Sequence, residues 1–167
     1  VMEHLRPYIG AAQTAADMAA QISSAAISGV SVKACGRIAS EDPSVLGTAA
    51  LAGVVQFGSE VPVNVINARY LAEQRGISVE TAVEPVSESY PSYVEVTTRS
   101  AEGEVVITAA TAPADKVRIP SILGYDVDFI PGKNVIILQY VDGPGRMGKL
   151  GTVLGNAGVN IETMQIS

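Results

Sequence analysis

The stretch YVEVTTRSAEGEVVITA, residues 93–109, decides the fold. Its two arms, residues 93–97 and 105–109, carry apolar side chains with the alternation that is typical of half-buried strands. Between the arms, the tripeptide Ala101-Glu102-Gly103 is a predicted hairpin turn with glycine at the left-handed position. The stretch therefore predicts an antiparallel pair of strands.

Further extended segments lie on both sides of this hairpin. Residues 30–36, 79–83, 117–123 and 127–130 show the same short, β-rich pattern. A strand-rich block that follows helices is typical of an α+β domain. We therefore expect an α+β fold in which helices pack on an antiparallel or mixed sheet.

Three helices are predicted before the hairpin. From Leu5 to Ile22, small and apolar residues recur every three or four positions, and the many alanines among them would allow close approach to a neighbouring helix. Asp42-Pro43 is typical of a helix start, so a second helix is expected to run toward Gly58. A third is expected from about residue 63 to Arg75, with Ile66 and Tyr70 facing inward.

A boundary is predicted at Pro131-Gly132-Lys133, because a new strand-helix-strand pattern follows it. The pattern covers residues 134–140, 147–156 and 159–166. It separates the chain up to residue 131 from a strand-helix-strand unit in residues 132–167.

Composition excludes several classes of function. The 167-residue chain has a net charge of -6, so it lacks the basic footprint that nucleic-acid binding requires. With Cys35 as its one cysteine and His4 as its one histidine, we expect no internal disulfide and no metal site, and a cytoplasmic location. No apolar run approaches the roughly 20 residues that span a bilayer, so no membrane partner is expected.

The glycine-rich turn before the last predicted helix suits a small zwitterionic ligand. A helix that follows such a turn begins with unpaired backbone N–H groups, which attract an anionic group. Asp142 can accept from a ligand ammonium, and Asn160 offers both a donor and an acceptor. A free amino acid carries both charges, so this stretch is a candidate amino-acid site.

Two stretches resemble known families. YVDGPGRMGKLG, residues 140–151, with AGVNI, residues 157–161, is similar to the opening of an ACT domain. VNVINARYLAEQRGI, residues 63–77, resembles the intervening, allosteric substrate-binding domain of the long, type 1 D-3-phosphoglycerate dehydrogenases. Together the resemblance covers almost the entire chain.

The resemblance implies a regulatory part of a larger enzyme. Residues 1–9 would be the tail of the catalytic part and 10–131 the intervening domain. Residues 132–167 would be the N-terminal half of an ACT domain, a partial ferredoxin-like βαβ unit. The parent enzyme would oxidise 3-phosphoglycerate with NAD, the first committed step of L-serine biosynthesis, and would be a homo-oligomer. This part would mediate serine feedback and oligomer assembly.

The resemblance also implies site residues. Those expected to contact L-serine as effector are Tyr140, Asp142 and Asn160. Arg118 and Lys133 are candidates for binding a phosphorylated substrate, although Arg118 also fits a solvated strand face with no ligand.

The catalytic half of such an enzyme is not expected in this chain. The sequence contains no dinucleotide-binding Gly-x-Gly-x-x-Gly unit, and His4 has only Glu3 nearby as an acid partner. We therefore expect no catalytic residue and no bound cofactor here, with NAD belonging to the parent enzyme. Because half of the ACT pattern is missing, serine binding by the chain alone is expected to be weak or absent.

Two alternatives remain open at the level of sequence. The chain could be a purely structural scaffold for oligomerisation, with no ligand of its own. It could also be the regulatory part of a serine dehydratase, although the lone Cys35 does not provide iron-sulfur ligands.

Overall fold

The computed structural model describes residues 3–87 and 89–167. Its helices and strands are α1 (Arg6–Ile22), β1 (Ile27–Gly36), α2 (Ser44–Gln56), α3 (Ala68–Gln74), β2 (Ser78–Glu84), β3 (Ser92–Ser100), β4 (Gly103–Ala112), β5 (Lys116–Ile122), β6 (Tyr125–Phe129) and α4 (Arg146–Asn156). Short 3-10 turns at Arg37–Ser40 and Pro113–Asp115 follow β1 and β4. The extended segments predicted between residues 30 and 130 are all confirmed.

The strands form one mixed sheet in the order β2-β1-β3-β4-β5-β6. β1 and β2 are parallel, and every other neighbouring pair is antiparallel. The parallel pair is possible because α2 and α3 provide the long connection that parallel strands need. Helices packed on a mixed sheet confirm the predicted α+β fold.

The centre of the core is a row of side chains across three strands. Val32 of β1 lies opposite Val96 of β3, which lies opposite Ile107 of β4, and all three are buried. They belong to the sheet face that α1 and α2 cover. The opposite face carries polar side chains, among them the ion pair Lys33–Glu95 at 2.7 Å.

α1 and α2 approach each other closely, as the alanines of α1 predict. The inward alanines of α1 are fully buried, Ala12 and Ala16 among them. A Cβ placed on Gly53 of α2 would lie 2.2 Å from the carbonyl oxygen of Gln13 and 2.9 Å from the backbone nitrogen of Asp17. The two backbones therefore touch at a point where α2 can carry only glycine.

The third helix begins later than predicted, and two residues expected to face inward do not. α3 starts at residue 68, and the side chains of Ile66 and Tyr70 are 87% and 62% exposed. The cause is a turn made by two asparagines. Asn64 Oδ1 accepts hydrogen bonds from the backbone N–H groups of Ile66 and Asn67, and Asn67 Oδ1 accepts one from that of Asn64. These bonds satisfy the backbone outside a helix.

In residues 132–167, only the helix of the predicted strand-helix-strand unit is present. α4 agrees with the prediction, but residues 134–140 and 159–166 form no strand. Strands are stabilised by pairing with a neighbour, and neither segment pairs with another strand in the described part of the chain. α4 itself has no buried residue.

Within residues 3–87 and 89–167, no helix is both long enough and apolar enough to cross a membrane.

Candidate functional site

Asp142 and Gly145 shape the turn that precedes α4. Asp142 Oδ1 accepts a hydrogen bond from the backbone N–H of Gly143 at 2.8 Å, and Gly145 adopts a φ of 81°. Glycine reaches this left-handed backbone conformation without steric cost. One carboxylate oxygen of Asp142 is therefore engaged by the turn.

A cavity of about 260 Å³ lies along this end of α4. Its lining residues are Leu138, Gln139, Tyr140, Arg146, Met147, Lys149, Leu150 and Val153. Tyr140 thus lines the cavity as one of the predicted effector residues, and its hydroxyl lies 3.8 Å from the Met147 sulfur. Asp142 and Asn160 are not among the lining residues, so the serine site stays a prediction.

Two basic side chains in this cavity were not selected from the sequence. Arg146 and Lys149 lie three residues apart on α4, a spacing that places them on the same side of a helix. This spacing, in the first turn of the helix after the glycine-rich turn, is the sequence signal that could have identified them as site residues. They are the two charged residues of a lining that is otherwise apolar or neutral.

A second cavity, of about 180 Å³, lies where α2, α3 and the start of β2 meet. Its charged lining residues are Arg69 and Glu73, one helical turn apart on α3. None of the predicted site residues lines this cavity.

Arg118 forms a two-pronged ion pair with Asp128 on the polar face of the sheet. Arg118 Nε donates to Asp128 Oδ1 at 2.6 Å, and Nη2 donates to Oδ2 at 2.9 Å. The Tyr90 hydroxyl donates to Asp128 Oδ1 at 3.0 Å. These three residues, the Arg118 cluster, join β5, β6 and the turn before β3.

The electrostatics of the Arg118 cluster follow from these bonds. The Arg118 guanidinium, followed by the Tyr90 hydroxyl, lowers the pKa of Asp128 to about 2. Asp128 in turn raises the pKa of Arg118 above its ordinary value. Burial, followed by the hydrogen bond to Asp128, raises the pKa of Tyr90. All three effects favour a protonated Arg118 and Tyr90 beside an ionised Asp128.

Local irregularities of the strands position this cluster. The β4–β5 register shifts by one residue between Thr108, which lies opposite Ser121, and Ala110, which lies opposite Arg118. Pro120 lies at the shift, where its missing N–H is tolerated. Asp128 has a φ of 44°, in the left-handed region that aspartate adopts more readily than most residues. As a result, Arg118 and Asp128 meet on the polar face.

Lys133 lies in the connection after β6 and is exposed. The structure shows no ion pair for it within the described residues, so its role in anion binding stays a prediction.

Asp128 and Tyr90 were not selected from the sequence. They are 10 and 28 residues from Arg118, and the register shift breaks the alternation that would have linked Asp128 to it.

Cys35 is fully buried, and burial raises the pKa of its thiol. Among residues 3–87 and 89–167, no group of three or more histidine, cysteine, aspartate or glutamate side chains is placed to hold a metal ion.

Comparison with known proteins now gives the class of the main domain. Residues 4–123 match the D-3-phosphoglycerate dehydrogenase intervening domain family, which is more than half of the chain. The chain belongs to this family.

Relatives matched by the chain carry the same enzyme name. The chain is 33% identical to a D-3-phosphoglycerate dehydrogenase of Mycobacterium leprae over 169 residues, which cover 100% of this chain and 32% of the relative. It is 28% identical to that of Bacillus subtilis, over 97% of this chain and 31% of the relative. For Archaeoglobus fulgidus the identity is 30%, with 97% and 31% covered. The chain thus spans about a third of the length of these relatives.

Proposed function

We propose that this chain is the regulatory part of an NAD-dependent D-3-phosphoglycerate dehydrogenase, which oxidises 3-phosphoglycerate in the first committed step of L-serine biosynthesis in the cytoplasm. The observation that carries the proposal is the family match over residues 4–123. In addition, the whole length of this chain aligns with about a third of the Mycobacterium leprae dehydrogenase. NAD would be bound by the rest of the parent enzyme. Within this chain, residues 10–131 act as the intervening domain and residues 132–167 as the first half of an ACT domain.

The intervening domain binds a phosphorylated substrate as effector through Arg118, with Lys133 nearby in sequence. Arg118 supports this role because its guanidinium lies on the polar face of the sheet, with 34% of its side-chain surface exposed. A guanidinium presents paired N–H donors that match the geometry of a phosphate or a carboxylate. The bond pattern that it makes with Asp128 is the one that it would make with a phosphate.

Calorimetric titration of the 167-residue chain with 3-phosphoglycerate tests the anion site. We expect measurable binding that weakens roughly fivefold or more in Arg118→Ala, because a two-pronged charged contact is lost. Arg99→Ala is the matched control, since Arg99 is also paired with an acid, Glu80, at 3.4 Å on the sheet. Equal affinities for the wild type and Arg118→Ala would remove Arg118 from the site.

L-serine is the proposed effector of the C-terminal part, through Tyr140, Asp142 and Asn160. Binding by this chain alone is expected to be weak or absent. One oxygen of Asp142 is held by the Gly143 N–H, and of the three residues only Tyr140 lines the cavity. Calorimetry with L-serine, with D-serine as the matched control, measures this. Tight and stereospecific binding by the chain would contradict the expectation.

The alternative function is a scaffold that drives assembly of a homo-oligomer without any ligand. The exposed apolar side chains of residues 135–141 favour it, since large exposed apolar surfaces mark protein contacts. Light scattering distinguishes the two functions. The scaffold would be favoured by a stable oligomer whose mass does not change when 3-phosphoglycerate or L-serine is added and which binds neither ligand in calorimetry.

A further inference from the structure

The guanidinium of Arg118 already holds an anion that belongs to the chain itself. Its Nε and Nη2 donors both end on the carboxylate of Asp128, at 2.6 and 2.9 Å. This is the edge of the guanidinium that binds phosphates and carboxylates in a two-pronged manner. A ligand that uses the same edge must first displace Asp128.

Asp128 is also held from a second side. The Tyr90 hydroxyl donates to Oδ1, the same oxygen that Arg118 Nε contacts. Asp128 carries a left-handed φ of 44°, a conformation that persists where surrounding contacts stabilise it. Tyr90 therefore stabilises the arrangement in which Asp128 binds the two donors Nε and Nη2 of Arg118. We call this pair of donors the Arg118 fork.

The pair is nevertheless exposed enough to be exchanged. The side chains of Arg118 and Asp128 are 34% and 52% exposed to solvent. Ion pairs this exposed contribute little net stability, because water and salt screen them. A phosphate group carries more negative charge than one carboxylate, so it can compete with Asp128 for these donors.

We propose that Asp128 is a built-in competitor of the anion that binds Arg118, and that Tyr90 holds it in the competing position. This inference rests on the proposed anion site. In the structure described here the site is closed by its own carboxylate, and the apparent affinity for a ligand is reduced by the fraction of molecules in which Asp128 occupies the fork.

Tyr90 connects the Arg118 cluster to the turn before β3. Once Asp128 leaves, Tyr90 loses its hydrogen-bond partner, and Tyr90 precedes Pro91 in the turn before β3. The Pro91 carbonyl accepts from Arg37 N at 3.1 Å, and a Cβ on Gly36 would lie 2.3 Å from it. The turn that Tyr90 belongs to is thus packed tightly against the end of β1.

Calorimetric titration with inorganic phosphate and with 3-phosphoglycerate tests the competitor. Asp128→Asn keeps the shape of the side chain and removes its charge, so we expect affinity for both probes to rise roughly tenfold, as it would if about a tenth of the wild-type molecules had an open fork. Tyr90→Phe removes only the hydroxyl, and we expect a rise of about threefold. Arg118→Ala should abolish the gain when combined with Asp128→Asn.

The matched control is Asp126→Asn, which makes the same change of net charge on the same strand, β6. It should leave the affinity for both probes within about twofold of the wild type. If Asp128→Asn gains no more than this control, while Arg118→Ala still weakens wild-type binding, the competitor is overturned and the anion site stands.

Other results separate the two proposals. If neither the wild type nor Asp128→Asn binds either probe, the anion site and the competitor both fail. If Asp128→Asn binds tightly and the double variant with Arg118→Ala binds equally well, Arg118 is not the site. Circular dichroism of each variant shows whether the sheet is intact, and Tyr90→Phe provides a result that does not depend on removing a charge.

Discussion

Residues 3–130 and residues 132–167 contain similar apolar side chains but use them differently. In the first region, α1 and α2 cover one face of the sheet, and side chains such as Val32 and Ile107 are fully buried. In the second region no described residue is buried, and Ile137 and Leu138 remain 40% and 51% exposed. Burial requires a second layer that presents its own apolar face, and residues 132–167 find none within the described part of the chain.

The largest expected effect tests this contrast with the same substitution in each region. Ile107→Ala removes a fully buried side chain at the centre of the sheet, so we expect a loss of roughly 2–5 kcal/mol in the free energy of unfolding. Ile137→Ala, at a 40% exposed position, should change it by about 0.5 kcal/mol or less. Urea denaturation followed by circular dichroism measures both. Similar losses at the two positions would show that residues 132–167 are packed in solution.

The next effect compares glycines of two helices. At Gly53 of α2, a Cβ would meet the Gln13 carbonyl oxygen at 2.2 Å, whereas at Gly151 of α4 nothing lies within 4 Å of it. We therefore expect Gly53→Ala to destabilise the protein by about 2–3 kcal/mol, since α1 and α2 must move apart.

Gly151→Ala is the matched control for this experiment. It should leave the main unfolding transition unchanged and increase the helicity of α4, because alanine is favoured over glycine inside a helix by roughly 0.5–1 kcal/mol. A neutral Gly53→Ala would contradict the close contact of the two helices.

The same contrast explains how far the sequence predicts the fold. Alternation in residues 93–109 and the alanine spacing of α1 are local patterns, and burial against each other reinforces both. Residues 134–140 have an equally strong local pattern but no neighbouring strand to pair with, so the prediction of a strand there was wrong. The third helix begins later than the apolar spacing suggested, because the side-chain oxygens of Asn64 and Asn67 accept hydrogen bonds from backbone N–H groups before it.

The candidate sites were predictable to a smaller extent. Arg118 was selected through the family resemblance, and the turn at Asp142 through its short glycine-rich motif. Asp128 was not found, since a register shift and a left-handed residue decide where its side chain points. Tyr90 reaches Asp128 only through the folded sheet, and contacts of that kind leave no local pattern in the sequence.

The smallest expected effect concerns the edge of the packed region, where Asp128 lies on β6. Its pKa in the folded protein is lowered from 3.8 to about 2 by Arg118 and Tyr90. A group whose pKa is lowered on folding stabilises the protein above its unfolded pKa and loses this contribution as the pH falls through its folded pKa. The difference in stability between the wild type and Asp128→Asn should therefore be constant above about pH 4, shrink between pH 4 and pH 2, and disappear below that.

Urea midpoints of the two proteins across this range, with Asp126→Asn to account for the change of net charge, measure the difference. Because both side chains of the pair are exposed, the difference should be small even at neutral pH. A difference that stays constant down to pH 2 would mean that Asp128 does not bind Arg118 in solution, so the fork would be open to a ligand from the start.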